Sequence, residues 1–242
     1  MSTTTYLVLD IETVPDPQLF SPPDPAAASE RPERAFPPLF ACQVVVIGGL
    51  WLGEDLSAKR LGVLGEDADE SVMLAEFAGF MDTNRPHLVT WNGRGFDLPV
   101  LALRSLRQGL SWPWYYRERD YRYRYSDEGH LDLGDFLADH GAGRMTSLDG
   151  AARLIGLPGK DGIDGSQVEG LWSSGQRETV RSYCLTDVLQ TAFVFLRARL
   201  LAGRLDRAAY RRAAEALLAA VASDPRVARL AERVDRARLL LL

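Results

Sequence analysis

Cysteine and lysine are nearly missing from this chain of 242 residues. The two cysteines, Cys42 and Cys184, stand far apart with no CxxC spacing, which excludes a disulfide framework and the usual zinc-ligand sets. Histidine occurs three times, at His87, His130 and His140, also without metal-ligand spacing, and His130 is expected to be a structural histidine with a satisfied ring. No apolar run approaches the roughly 20 residues a membrane span needs. The opening Met1-Ser2-Thr3-Thr4-Thr5 has no basic region, and the first apolar run is broken by Asp10 and Glu12, so no signal peptide and no membrane partner are expected. These absences together predict a reduced, cytoplasmic protein with two ordinary thiols.

The net charge of −5 does not advertise a polyanion partner. The charge is unevenly spread, however. Residues 199–242 hold ten Arg against five Asp or Glu, so the rest of the chain is markedly acidic. Lysine appears only at Lys59 and Lys160, a bias of composition more than a sign of phosphate recognition.

Tyr6-Leu7-Val8-Leu9-Asp10-Ile11 is apolar on both faces before it reaches an acid, as a strand covered on both sides should be. Residues 15–41 hold eight of the thirteen prolines and form a long loop or insertion. Further strands are predicted at 44–52, 60–64, 87–91 and 131–133. Helices are predicted at 71–81, from Asp97 to about Gln108, at 134–140, 147–155, 176–201 and 206–222, and onward from 225; a Gly-rich loop spans 156–170. Strands joined by turns and then alternating with helices make a mixed α/β sheet with helices on its faces. A bend near Gly203 separates a main domain, 1–202, from a helical extension, 203–242.

Three stretches put acids at the ends of apolar elements. Asp10 and Glu12 are two apart on a strand and so share a face. Such a pair repels itself unless a divalent cation holds it. Asp97 follows Asn92-Gly93-Arg94-Gly95-Phe96 at a strand–turn–helix junction. Taken alone it is a good helix N-cap, while Gly93 and Gly95 would let a ligand approach the backbone. Tyr183 and Asp187 are four apart and share one face of a long helix.

Together, LVLDIETVPD, TWNGRGFDLPVL and YCLTDV resemble the three motifs of the DEDD superfamily of 3′–5′ exonucleases, with Tyr183 matching the tyrosine of the DEDDy branch. The segments at Tyr121-Arg122-Tyr123-Arg124-Tyr125, His130-Leu131-Asp132-Leu133 and 159–168 are similar to those of predicted bacterial exonucleases that resemble the proofreading domain of family B DNA polymerases. The resemblance covers roughly residues 5–201. It implies a ribonuclease H-like fold, a mixed five-stranded sheet with helices on both faces, here followed by C-terminal helices. It implies hydrolysis of nucleotides from the 3′ end of a single strand, DNA more than RNA, with two Mg²⁺ or Mn²⁺ ions. Asp10 would bridge the ions, Glu12 and Asp187 would complete the site of the ion that activates water, and Asp97 would serve the other. Tyr183 would orient the attacking water, the other reading being a core tyrosine.

Asn92 and Phe96 are candidate contacts to the terminal nucleotide, with a core aromatic an even alternative for Phe96. Lys160 is a weaker candidate for a phosphate. The Tyr/Arg alternation at 121–125 reads better as an amphipathic edge strand than as a stacking surface. An RNA-trimming enzyme with the same site and a noncatalytic nucleic-acid-binding module are the rival functions. In the tail, Val227, Leu230, Val234, Ala237 and Leu241 form a narrow apolar seam, better read as an intramolecular cap than as a surface for self-association.

Overall fold

The computed structural model describes residues 4–21, 36–126, 128–159 and 162–242. Five strands form one sheet in the order β3-β2-β1-β4-β5. They are β1 (Tyr6–Pro15), β2 (Cys42–Leu52), β3 (Ala58–Val63), β4 (His87–Thr90) and β5 (His130–Asp132). The pairs β1–β2 and β2–β3 are antiparallel, whereas β1–β4 and β4–β5 are parallel. β1 lies at the centre, which explains its apolar character on both faces.

The helices follow the sequence in large part: α1 (Glu70–Asn84), α2 (Asp97–Gln108), α3 (Pro113–Arg117), α4 (Arg119–Arg122), α5 (Leu133–Leu137), α6 (Leu148–Leu154), α7 (Val168–Ser173), α8 (Arg177–Leu201), α9 (Arg207–Ser223), α10 (Ala228–Glu232) and α11 (Arg236–Leu240). They cover both faces of the sheet, giving the ribonuclease H-like α/β arrangement. β1 shows how. Tyr6 and Val8 belong to a core shared with α8 and α9, while Leu7, Leu9 and Ile11 belong to a core shared with α1, α2 and α3. Alternation along the strand therefore aims Asp10 and Glu12 at the α8 side.

Three expectations need correction. Residues 121–125 are not an edge strand. Arg119–Arg122 is a helical turn, and β5 begins only at His130. The segment after Pro225 is not one helix but two short ones. The break lies at 233–235, where Asp235 caps α11 through the Arg238 N–H. This shifts the apolar seam: Val227 and Leu230 are buried as expected, but beyond the break Leu239 and Leu240 are buried while Ala237 is exposed. The loop after α6 is also shorter than 156–170, because α7 starts at Val168. Of the Pro-rich stretch, the described parts hold no α-helix and only a single 3₁₀ turn at Leu39–Ala41.

The tail packs on the main body. Val227, Leu230, Leu239 and Leu240 share one core with Tyr6, Val8 and Phe193. Arg197 and the Tyr210 hydroxyl both donate to the Leu239 carbonyl, at 2.9 and 2.5 Å.

Candidate metal centre and its surroundings

β1 delivers Asp10 and Glu12 to the end of the sheet, where α8 crosses. Gly48 of β2, the partner of Asp10, lets the helix come close: a Cβ there would lie 2.6 Å from the Cys184 sulfur. With α8 seated this deeply, Tyr183, Cys184 and Asp187 reach the acids. The carboxylates of Asp10 and Glu12 and the Cys184 sulfur have donor atoms all within 4.8 Å of one another. The Cys184 thiol donates to the Asp10 carboxylate and to its carbonyl, at 3.5 Å each, so it is not the ordinary thiol the sequence suggests.

Asp97 arrives from the other face. It is not a cap: Phe96 is the N-cap of α2, and no side chain closes that end. The Asp97 carboxylate is buried and accepts from its own N–H and that of Ile11, between Asp10 and Glu12 in sequence. The turn before it folds on itself. Asn92 is left-handed (φ 59°) and its carbonyl accepts from Gly95 and Phe96 N–H groups, both at 3.0 Å. The turn itself requires the glycines. A Cβ on Gly93 would meet the Thr90 side chain at 2.3 Å, and one on Gly95 would meet Asn92 Oδ1 at 2.5 Å. Phe96 is half-buried against the α1–α3 core and packs on the Phe36 ring at 5.9 Å.

Sequence reasoning missed two residues that hold this turn. The buried Asp132 carboxylate accepts from the Asn92 N–H at 2.8 Å and the Arg94 N–H at 2.9 Å. The Arg94 guanidinium donates to the carbonyls of Tyr121, Arg122, Tyr123 and His130. Only the HLDL segment hinted at Asp132. Nothing in the sequence marked Arg94. His130 is buried and bonded to the Thr90 hydroxyl at 2.8 Å, and burial pushes its pKa well down, so it is a neutral structural residue. Lys160 lies outside the described residues.

The electrostatics bind the group together. Asp10 has its pKa pushed well up, first by burial and then by Glu12, Asp97 and Asp187. Asp97 is raised to about 7, by burial and then by Asp132. The Tyr183 hydroxyl bonds the Asp187 carboxylate, and burial followed by the charges of Asp187, Glu12 and Asp10 raises its pKa far above the usual phenol value. Asp10 and Glu12 are thus grouped closely, Asp97 and Asp187 lie near enough to raise the Asp10 pKa, and the neighbours that act on Asp10 are acids and a thiol. A divalent cation fits such a donor set, because oxygen ligands suit Mg²⁺ and Mn²⁺ and the ion removes the mutual repulsion. Beside the acids, Tyr183 and Asp187 line a cavity of about 420 Å³ that is bordered on another side by Arg226, just before α10, and Arg229 of α10.

A family model described as a predicted 3′–5′ exonuclease related to the exonuclease domain of PolB matches residues 34–233. The chain belongs to this family. The match includes Asp97, Tyr183 and Asp187 and begins after Asp10 and Glu12, which join the site through β1. No curated protein matches the sequence. Among solved structures, the family B DNA polymerase from the hyperthermophilic archaeon Pyrobaculum calidifontis is similar, with a TM-score of 0.57 and 21% identity. That likeness covers 90% of this chain but 29% of the polymerase, and at this identity it is a likeness of fold. Among the described residues, no helix is long and apolar enough to cross a membrane.

Proposed function

We propose that this member of the PolB-like exonuclease family is a metal-dependent phosphodiesterase that removes nucleotides from the 3′ end of a single strand, DNA in preference to RNA. The observation that carries this reading is the close grouping of Asp10 and Glu12, with Asp97 and Asp187 acting on Asp10, beside the Tyr183 hydroxyl. Asp10, Glu12, Asp97 and Asp187 would hold two Mg²⁺ or Mn²⁺ ions. When bound, such ions supply an activated water and neutralise charge on the leaving 3′ oxygen. A phenol with an ordinary pKa of about 10 is a poor base, so Tyr183 is assigned to orient the attacking water by a hydrogen bond. Asn92 and Phe96, on the turn before Asp97, would meet the terminal nucleotide. In this reading the helices after Gly203 are a cap on the exonuclease unit, since their apolar residues are spent in its core.

The test uses 5′-labelled single-stranded DNA and RNA of matched sequence, with Mg²⁺, Mn²⁺ or excess EDTA. The expected result is a ladder shortening from the 3′ end, faster on DNA and absent in EDTA. Undiminished cleavage in EDTA would sink the metal-dependent reading. Faster trimming of RNA would transfer the same site to the RNA-processing alternative.

A further inference from the structure

The segment Tyr121-Arg122-Tyr123-Arg124-Tyr125 was best explained from sequence as one side of an edge strand, and that explanation is gone. Only Tyr121 has a core role: its ring is buried against Trp114 at 5.0 Å and its hydroxyl donates to the Pro86 carbonyl at 2.8 Å. Tyr116, Tyr123 and Tyr125 remain in solvent, 57%, 43% and 63% exposed. Three exposed aromatic rings in ten residues form a patch that a soluble surface does not otherwise gather. Their rings are not idle. The Arg119 guanidinium lies 4.7 Å over the Tyr123 ring and that of Arg122 lies 5.2 Å over Tyr116. Tyr123 and Tyr125 stand edge to face at 5.7 Å. Tyr116 also meets the Tyr115 ring at 5.2 Å and Tyr125 the His140 ring at 4.9 Å, so each ring is held by two neighbours while much of its surface stays exposed.

The patch is fixed to the candidate active site. Arg94, two residues from Asn92 and three from Asp97, donates to the carbonyls of Tyr121, Arg122 and Tyr123 at 3.2–3.3 Å. One side chain therefore ties the aromatic segment to the turn that delivers Asp97.

We propose that Tyr116, Tyr123 and Tyr125, with Arg119 and Arg122, form a stacking surface for the bases of a single strand whose 3′ end lies at the acids. This rests on the exonuclease reading and adds to it the path of the strand. The chemistry fits one ligand class. Bases stack on aromatic faces whatever their sequence, and arginines beside the rings meet the intervening phosphates. Duplex is excluded, because its bases are already stacked on each other. The acidic centre itself repels phosphate when empty of metal, so attraction for the strand comes from outside it, from this surface and from the arginines of the neighbouring cavity.

The experiment measures binding and hydrolysis separately. Fluorescence anisotropy in EDTA with a labelled 12-nucleotide single strand should show about a five- to hundredfold weaker Kd for Tyr123→Ala, and a similar loss for Tyr116→Ala or Tyr125→Ala. Tyr→Phe at each position should retain binding, because the face and not the hydroxyl is used. Arg119→Ala and Arg122→Ala should each lower the slope of log Kd against log salt by about 0.7. Hydrolysis of a trinucleotide with Mn²⁺, which offers fewer bases to stack, should fall less than that of the 12-mer in every variant. Unaltered Kd in all three Tyr→Ala variants, or a wild-type protein that does not bind the 12-mer, overturns the proposal. If Tyr-dependent binding is found but wild type hydrolyses nothing, the surface stands and the exonuclease reading fails. If hydrolysis is found with Tyr-independent binding, the reverse holds.

Discussion

Two clusters of buried or partly buried acids lie at the same end of β1, and they are built on opposite plans. Beyond the strand, Glu70 and Asp16 surround Arg104, which is 2% exposed at its side chain. Its guanidinium reaches Glu70 Oε1 at 2.8 Å, Glu70 Oε2 at 2.6 Å and Asp16 Oδ2 at 2.9 Å, and Glu70 Oε1 also accepts from the Val44 N–H. Here each charge has its partner in the chain, and the cluster clamps β1, β2, α1 and α2. A few residues upstream, Asp10, Glu12, Asp97 and Asp187 raise one another's pKa values or that of Tyr183. In the proposed reading the contrast is between acids that fold the protein and acids that a metal would complete. Buried charges are costly, and a chain that keeps like charges together does so where something outside the chain completes them.

The contrast breaks most sharply at Asp10 and Asp187. Asp10→Ala or Asp187→Ala should abolish hydrolysis of a labelled single strand. The metal-free Tm should hold or rise, because each change relieves repulsion. A large fall in the metal-free Tm would instead assign these acids to structure. Tyr183→Phe should cost about 10²–10⁴-fold in kcat with metal affinity retained, as read by calorimetric titration with Mn²⁺. Unchanged kcat would return Tyr183 to core packing.

Arg104→Met should behave in the opposite way. It leaves Glu70 buried without its cation, while Asp16 keeps Arg107 at 3.1 Å, and loss of one partner from such a buried pair costs about 3–5 kcal/mol. Urea unfolding measures this directly. Residual hydrolysis per folded molecule should be close to normal at low temperature, since Arg104 touches none of the four acids in the candidate site.

The pH dependence should also divide the clusters. Asp97 is raised from 3.8 to about 7. A raised acid contributes stability that is fully present below the unfolded value and lost as pH climbs through the folded one. Metal-free protein should therefore weaken between pH 4 and 8 by a few kcal/mol, at up to about 1.4 kcal/mol per unit of raised pKa. Asp16 has the other sign. Burial opposes its charge, but the Gln18 N–H and Arg104 hold its carboxyl below the usual value, so its contribution is lost only as pH falls below about 4. Thermal melts at pH 5 and 8 with and without Mg²⁺ test the pair: the ion should raise Tm more at pH 8. An equal rise at both values would show that the ion does not bind the raised acids.

What the sequence disclosed follows from period and range. β1, α2 and α8 were legible because strand and helix periods are local, and so the faces carrying Asp10 with Glu12, and Tyr183 with Asp187, followed from spacing alone. Asp97 was found, but as a plausible cap, because a helix start and a ligand acid use the same residue type. The Glu70–Arg104–Asp16 clamp was not legible, since its members are separated by up to 88 positions and none has a local signature. Cys184 looked ordinary because its role depends on Gly48 letting α8 settle onto β2. The helix after Pro225 was drawn too long because its apolar seam ran on through the Asp235 cap.

Asp132 shows a third way to bury an acid, and its substitution is the mildest probe. It is neither paired with a lysine or arginine side chain nor grouped for a metal. Its carboxylate accepts from the backbone N–H groups of Asn92, Arg94 and, at 3.3 Å, Asp135. Backbone donors stabilise the charged form without a counter-ion. Asp132→Asn replaces one acceptor with an NH₂ group facing an N–H, so one backbone donor is left unsatisfied at about 1–3 kcal/mol. The turn before Asp97 should loosen, and activity should fall about 10–100-fold, as for residues that orient a ligand acid without being one. A second readout distinguishes positioning from general damage. The Asp132 charge helps raise the Asp97 pKa. Its removal should move the pH at which metal-free stability declines to a value below 7, whereas simple loss of packing would lower the whole stability curve and leave that midpoint in place.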